Sequence, residues 1–510
     1  MSTTQTKKGG FTSGIGFVLA AAGSAVGLGN LWGFPFKTAE NGGAAFVFLY
    51  IACVLLIGAL TMICEIFIGR RSQANPITAF KKVNKNIGWI GLIAIVVPTI
   101  IVCYYSVLGG YTVKFAFNSF WGNAGNLSNY AGNGLEVSIF TLIFVALALL
   151  VVMGGVKDGI EKASKVLMPT LFILLVAVVV FVLCLGEGVL EGLAFYLIPD
   201  FSKITFSSVL AAMGQAFYSL SLGMGAMIVY GSYTGKEINI VKSTAMICIF
   251  DTFVALLAGM AIFPAVLHFA AIEGVDTSTL NLQGIMLMFV TLPQVFESIG
   301  YAGNIIEFVF FAMVAIAAIT SVISIMEVAS QFIIQKFKIS RKKATAFIAL
   351  ITFAVSIPVG LSLGNLLNGV DKLTIFGLDW LSFLDTVTNT VLMPVCALLS
   401  CLAVGWFIKP KRAISELEAD GNKFGKLAGF VGIMIKYVVP CLIGVIEVFG
   451  VIDLIWPAKN GGVFSPDGLG VALVSYALLA VLIVLYFALL KNTETGTNAD
   501  EHLTTEIEKA

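Results

Sequence analysis

The feature that most constrains this chain is a succession of apolar segments, each about as long as a bilayer is thick and joined by short polar connections. A hydrocarbon core about 30 Å deep needs about 20 apolar residues per spanning helix. Such segments lie near 14–36, 43–69, 87–117, 136–154, 163–185 and 206–231. Six more lie near 237–272, 301–336, 342–362, 376–408, 430–456 and 468–490. They predict an all-α integral membrane protein of 12 transmembrane helices, because a helix bonds its own backbone polar groups where no water can. Composition excludes a soluble globule: 58% of the 510 residues are hydrophobic and 12% are charged, about half the charge such a surface needs. The stretch 280–296, with Gln283, Pro293, Gln294 and Glu297, suits an external re-entrant hairpin lying on protein better than a thirteenth span.

Lysines and arginines fix the orientation. They crowd the connections Arg70–Lys85, Lys157–Lys165, Lys336–Lys343 and Lys409–Lys426, whereas the alternate connections hold only Lys37, Lys203, Lys372 and Lys459. Positive charge is retained inside, so both termini are expected in the cytoplasm, in a multi-pass protein of the bacterial inner (cytoplasmic) membrane. The first segment outruns a signal-peptide core and has no clear cleavage site, so it is expected to remain. The tail 491–510 is polar and reads as disordered.

A net charge of +1 gives no basis for a nucleic-acid partner. His268 and His502 have no companions that would make a catalytic or metal centre, so the chain does not read as an enzyme. The eight cysteines stand singly in apolar runs and read as packed free thiols. A channel would show a repeated filter sequence, and none is present.

The first span, GIGFVLAAAGSAVGLGNLWGFPF, carries Gly23, Gly27, Gly29 and Pro35 in or beside its middle. The sixth, AFYSLSLGMGAMIVYGSY, is interrupted at comparable depth by Ser219, Ser221, Gly223 and Gly225. Either cluster alone could serve close helix packing. Paired one half-repeat apart, they point to two broken helices around a midplane site, and five helices from an inside start give the second repeat the opposite orientation. Unwound carbonyls suit a cation, and half-helix N–H groups suit a carboxylate. In the eighth span Ala317, Thr320, Ser321 and Ser324 share one face, which is either a hard-oxygen surface for Na⁺ or helix-packing glue. Asp251, inside ICIFDTFVALLAG, costs roughly 2.5–3.5 kcal/mol at mid-helix, so it faces either a bound cation or neighbouring hydroxyls such as Ser219. Glu65 could supply a second buried charge or snorkel toward Gly69 and Arg70.

The motifs GSAVGLGNLWGFPF, ENGGAAF, GQAFYSLSLGMGAM and AAITSVIS resemble the neurotransmitter:sodium symporters, particularly their bacterial amino-acid carriers, over about residues 11–408. The resemblance implies the leucine-transporter-like fold, a 5+5 inverted repeat with broken helices 1 and 6. The boundaries would be a cytoplasmic segment 1–10, repeats 11–200 and 201–408, helices eleven and twelve over 409–490, and the tail 491–510. It implies sodium-coupled import of a neutral apolar or aromatic amino acid, the alternative being sodium- or proton-coupled symport of another small solute. One sodium would sit among the Ala25 carbonyl, Asn30, Ser219 and Asp251. A second would meet the carbonyls of Gly23, Val26 and Ala317 and the hydroxyls of Thr320 and Ser321. The substrate carboxylate would meet the N–H groups of Leu28 and Gly29 and the Tyr105 hydroxyl. Ser24, Ile101, Tyr105, Tyr218, Ser221, Met224, Ser321 and Ile325 would face the substrate. Ser24 stands where monoamine carriers have aspartate, which implies a substrate with its own carboxylate. Asp251, among Tyr50, Gln215 and Ser219, implies no chloride requirement.

The sequence departs from the family at both gates. The outer arginine is replaced by Gly33 and its aspartate partner by Thr388, with Asp385 one turn earlier. At the inner gate Lys8 and Gln335 stand where arginine and aspartate are usual.

Overall fold

The computed structural model describes residues 10–121, 126–276, 284–368, 373–457 and 462–490. Lys8, Gln283, Lys372, Lys459, His502 and the tail 491–510 lie outside these residues. Among the described residues, ten helices are long and apolar enough to cross a bilayer. They are α2 (Ala44–Ser72), α3 (Gly88–Phe120), α4 (Gly134–Met153), α5 (Val156–Leu183), α7 (Ile240–Glu273), α8 (Tyr301–Phe337), α9 (Arg341–Leu367), α10 (Trp380–Ile408), α11 (Leu427–Ile455) and α12 (Pro466–Leu489). The remaining two spans come in pieces. Span α1 is Gly14–Ala25 followed by Gly29–Glu40, bent by 51°. Span α6 is Phe206–Ser219 followed by Ala226–Ser232, each piece too short to cross alone. The total is the expected twelve, and the two breaks fall five spans apart as an inverted repeat requires.

The chain breaks where it does for local reasons. Ser13 caps α1 by accepting from Gly16 N at 3.0 Å. At the other side of the first break the Asn30 Oδ1 accepts from Gly27 N at 3.2 Å, giving an N–H at the interruption a side-chain partner. In α6 the chain passes through left-handed backbone at Ser221 (φ 53°), Gly223 (φ 75°) and Gly225 (φ 68°), and for Gly223 a Cβ would stand 2.9 Å from the Met393 carbonyl carbon. Pro35 does not mark the break. It lies in the first turn of the helix Phe34–Glu40, where its missing N–H costs nothing.

Close glycine contacts hold the second piece of α6 against α2. A Cβ on Gly69 would lie 2.8 Å from the Ile228 carbonyl carbon, and one on Gly231 would lie 2.9 Å from Ile66 Cα. Such approach of backbones is how helices gain dispersion contact without help from the hydrophobic effect. The stretch predicted as a re-entrant hairpin is, over its described residues, one short continuous helix, Gly284–Ser298, with Leu287, Met288, Phe289, Leu292, Pro293, Val295 and Phe296 buried against the bundle. Large apolar side chains such as Phe48, Leu55, Leu150 and Ile173 project from the bundle's flank, a surface that suits lipid rather than water. The spans α11 and α12 are the least buried and lie at the periphery.

Candidate functional site

Both breaks open onto the same interior region, flanked by α3, α7 and α8. On one side, Asn30 Nδ2 donates to Ser219 Oγ at 3.0 Å, to the Asp251 carbonyl at 3.1 Å and to Asp251 Oδ1 at 2.8 Å. The second carboxylate oxygen, Oδ2, accepts from Ser219 Oγ at 2.6 Å and from the Tyr50 hydroxyl at 3.0 Å. Asn30, Ser219 and Asp251 are fully buried. The Ser219 hydroxyl therefore bonds Asp251, and Asn30 and Tyr50 join the same cluster. Asp251 is bonded in a shell of neutral groups with no basic side chain among these partners, an arrangement that leaves its charge available to a cation. Gln215 Nε2 donates to the Gly29 carbonyl at 2.8 Å.

On the other side, Ser321 Oγ lies 3.3 Å from both the Gly23 and the Val26 carbonyl oxygens. Thr320 Oγ1 lies 3.0 Å from the Ala317 carbonyl, and the place a Gly23 Cβ would take is 3.2 Å from Thr320 Cβ. All five predicted oxygen donors of the second cation group thus come together where α8 crosses the α1 break. Ser324, the fourth member of that stripe, does not join them. It accepts from the Tyr230 hydroxyl at 2.8 Å and donates to the Thr320 carbonyl at 3.1 Å, so it ties α8 to α6. Gly23, expected at the break, is still helical, and its missing side chain admits Met168 Sδ and Thr320 Cβ, each 3.2 Å from the Cβ position.

Between the two groups, Leu28 N donates to the Tyr105 hydroxyl at 2.9 Å. A Gly27 Cβ would stand 2.7 Å from that hydroxyl, and a Gly29 Cβ would stand 2.8 Å from the Tyr218 ring. Only glycine therefore lets the two tyrosines approach the broken backbone this closely. Ser221 Oγ donates to the Ser24 carbonyl at 2.8 Å, which links the two breaks directly and holds Ser221 in its left-handed conformation. Ser24 Oγ is buried and has no hydrogen-bond partner among the described residues. Ile101, Met224 and Ile325 are buried; Tyr218 is half-buried.

Glu65 was legible only as a choice between two readings, and the structure decides it. The side chain is fully buried, and its Oε1 accepts from Gly223 N at 2.8 Å. It points into the α6 break and does not snorkel. Among the described residues, the positions where the family has its gate residues (Gly33, Thr388 and Gln335) hold no ion pair. Gly33 has only the Gln215 side chain beyond it, 3.6 Å from its Cβ position, and Thr388 bonds back to the Leu384 carbonyl at 2.8 Å. At the end nearer the termini, Gln335 Oε1 accepts from Asn75 N at 3.0 Å and Asn75 Nδ2 at 2.9 Å. That end is held by Arg341, whose Nη1 lies 2.5 Å from Glu327 Oε2, and by the Tyr233 hydroxyl, which donates to Glu327 Oε1 at 2.7 Å. Sequence reasoning did not pick out this cluster. A glutamate on an apolar face, six residues after Ser321 in IAAITSVISIME, was the available signal.

Two interrupted spans meeting inside a twelve-helix bundle, with polar side chains converging on both breaks, define the inverted-repeat class of secondary transporters. The sequence pattern of the sodium:neurotransmitter symporter family matches residues 8–129 and 127–495. The chain is similar to the sodium-dependent transporter YhdH of Bacillus subtilis, with 36% identity over 85% of this chain and 95% of the relative. It is similar also to a sodium-dependent transporter of Haemophilus influenzae, with 33% identity over 88% and 99%. Among solved structures it matches MhsT in complex with L-phenylalanine at a TM-score of 0.78 and 34% identity, covering 87% of this chain and 100% of that one. The chain belongs to the sodium:neurotransmitter symporter family and is a multi-pass, sodium-dependent membrane transporter.

Proposed function

We propose that the protein is a sodium-coupled symporter that imports a neutral apolar or aromatic amino acid by alternating access. The observation that carries this reading is the convergence of both breaks on one buried region, with an oxygen cluster on either side of the Leu28–Tyr105 contact. One sodium binds among the Ala25 carbonyl, Asn30, Ser219 and Asp251. The other binds among the carbonyls of Gly23, Val26 and Ala317 and the hydroxyls of Thr320 and Ser321. Hard oxygen donors without nitrogen or sulfur suit such a cation.

The substrate carboxylate takes over the Leu28 N–H, with help from Gly29 N–H and the Tyr105 hydroxyl, and its ammonium lies toward the Ser24 side of the breaks. The side chain enters the region bounded by Ile101, Met224, Ser221 and Ile325, where a flexible methionine adapts to different shapes. No charged group among these residues would pair with a charged side chain, and the phenylalanine bound to the similar MhsT is consistent with that chemistry. Asp251 already supplies a fixed negative charge beside the first sodium and Glu65 a second beside the α6 break, which removes the need for chloride.

Residues 11–200 and 201–408 form the two repeats, residues 409–490 add α11 and α12, and both termini face the cytoplasm of a bacterium. Two sodium ions crossing 100 mV supply about 4.6 kcal/mol, enough for a substrate gradient of about 10³. Purified protein in liposomes tests the reading through uptake of labelled apolar amino acids under imposed sodium, potassium or proton gradients. Uptake driven by sodium, and equal with gluconate in place of chloride, is expected. Uptake driven by protons alone, or stimulated by chloride, would overturn the corresponding part.

A further inference from the structure

The end of the bundle nearer the termini carries a cavity of about 310 Å³ that shares no residue with the central site. It opens where the turn between α4 and α5, the end of α6, the end of α8 and the start of α9 meet, and its size is that of a small-molecule site. Its donors come from three of these elements. α5 begins after Gly155, which is in left-handed backbone at φ 79° and brings no side-chain cap, so the N–H groups of the first turn have no acceptor within the helix. Arg341 bonds Glu327 through Nη1 and Nη2, and its Nε lies 3.5 Å from the place a Gly155 Cβ would take. Lys157 stands exposed at the rim. Gln335 accepts from Asn75 through Oε1, which leaves its Nε2 buried with no partner among the described residues.

Acceptors are fewer. Ser232 Oγ donates to the Val229 carbonyl at 2.7 Å, so it accepts from Gln331 Nε2, at 2.8 Å, and the orientation of that amide is fixed. Gln331 is 1% exposed, and its Oε1 is left with no partner among the described residues. A buried amide oxygen without a donor is costly, and this one belongs to the cavity wall, one helical turn from Gln335. The Asp158 carboxylate adds an acceptor at the rim, and Val156 and Ile334 supply apolar wall. Cationic and N–H donors around the α5 N-terminus, with an unpartnered acceptor on α8, match the two ends of a zwitterion.

We propose that this cavity is a second binding site, for a cytoplasmic α-amino acid. The carboxylate lies at the α5 N-terminus with Lys157, the ammonium at Gln331 Oε1, and the side chain against Val156 and Ile334. Tyr233 of α6 lines the same cavity, so occupancy ties α6 to α8 and α9 at the end where the bundle must part to release its cargo. The inference rests on the symport reading for which end is inner and for the choice of amino acid, but its test needs neither sodium nor transport.

Ile334→Cys, at a half-buried position in the cavity wall, reports occupancy through its rate of alkylation by N-ethylmaleimide in the purified full-length protein. The background carries Cys184→Ser and Cys441→Ser, because those two cysteines are free and exposed. In choline, L-phenylalanine is expected to slow alkylation about threefold or more, half-maximally at about 1 mM. Lys157→Gln, a change at an exposed side chain, and Gln331→Leu should each raise that concentration about fivefold or more. Thr320→Ala, at the central site, should leave it unchanged. 3-Phenylpropionate, which lacks the ammonium, should protect no better than L-phenylalanine protects Gln331→Leu. No protection, equal protection in Lys157→Gln, loss of protection in Thr320→Ala, or equal protection by 3-phenylpropionate would overturn the assignment. Protection in a protein that shows no sodium-dependent amino-acid binding would refute the symport reading and leave the cavity site standing.

Discussion

Asp251 engages both carboxylate oxygens, with Asn30 on one and Ser219 and Tyr50 on the other. Charge-assisted bonds of this kind are worth about 1.5–3 kcal/mol each. Asp251→Asn is therefore expected to raise the sodium concentration for half-maximal uptake by about ten- to a hundredfold, measured as initial rates across a sodium series. An unchanged sodium dependence would remove Asp251 from the ion site. Asp251, Ser219, Thr320 and Ser321 stood out by residue type and spacing, whereas Asn30 and the carbonyls of Gly23, Val26 and Ala317 followed only from the family resemblance. The role of Glu65 was not legible, since its partner is the backbone N–H of Gly223, 158 residues away. That N–H is free to bond a side chain only because α6 has broken there. Glu65→Ala would leave it unpaired in the interior at a cost of about 1–3 kcal/mol, expected as a lower thermal midpoint in detergent, whereas Glu65→Gln keeps an acceptor and most of the stability.

At the scale of an element, the breaks depend on backbone that side chains resist. Gly223 combines a φ of 75° with a Cβ position 2.9 Å from the Met393 carbonyl carbon, while Gly214, in the first half of α6, has nothing within 4 Å of its Cβ position. Gly223→Ala is thus expected to destabilise the protein by more than about 1 kcal/mol. Gly214→Ala is expected to be neutral or stabilising by up to about 1 kcal/mol. Thermal unfolding of both variants checks the contrast, and equal midpoints would contradict it. The sequence pattern located the two breaks through their glycines but blurred their edges. Pro35 looked like part of the interruption, yet it opens the second half of α1, and Gly23 looked like a breaker, yet it stays helical and serves contact with Met168 and Thr320. A glycine chosen for packing and a glycine chosen for unwinding look the same until the neighbouring helix is known.

Over the whole molecule, α1, α2, α6 and α7 are expected to rock against α3, α4, α8 and α9, with the central site exposed alternately to either side. The connection after α10 bears on this motion. Arg70, at the end of α2, pairs with Asp420 at 2.7 Å and donates to the Ile238 carbonyl at 3.1 Å, so the segment after α10 is clipped to α2 and to the start of α7. The spacing of apolar runs made the count of twelve readable, while the lysine and arginine bias predicts an orientation. The bracing of the bundle by that connection was not readable, because ion pairs more than 300 residues apart leave no periodic trace. A fluorescent protein fused after Ala510 should fold and fluoresce, and alkaline phosphatase fused there should stay inactive, if the C-terminus is cytoplasmic; the reverse pattern would invert the topology. The central claim is that sodium and an amino acid share the region where the two breaks meet. Equilibrium binding of labelled L-phenylalanine to the purified protein, in sodium and in choline, tests it most directly. Saturable binding that requires sodium and weakens about tenfold or more in Thr320→Ala is the predicted result, and binding of equal strength in choline, or no binding of this or any other apolar amino acid, would contradict it.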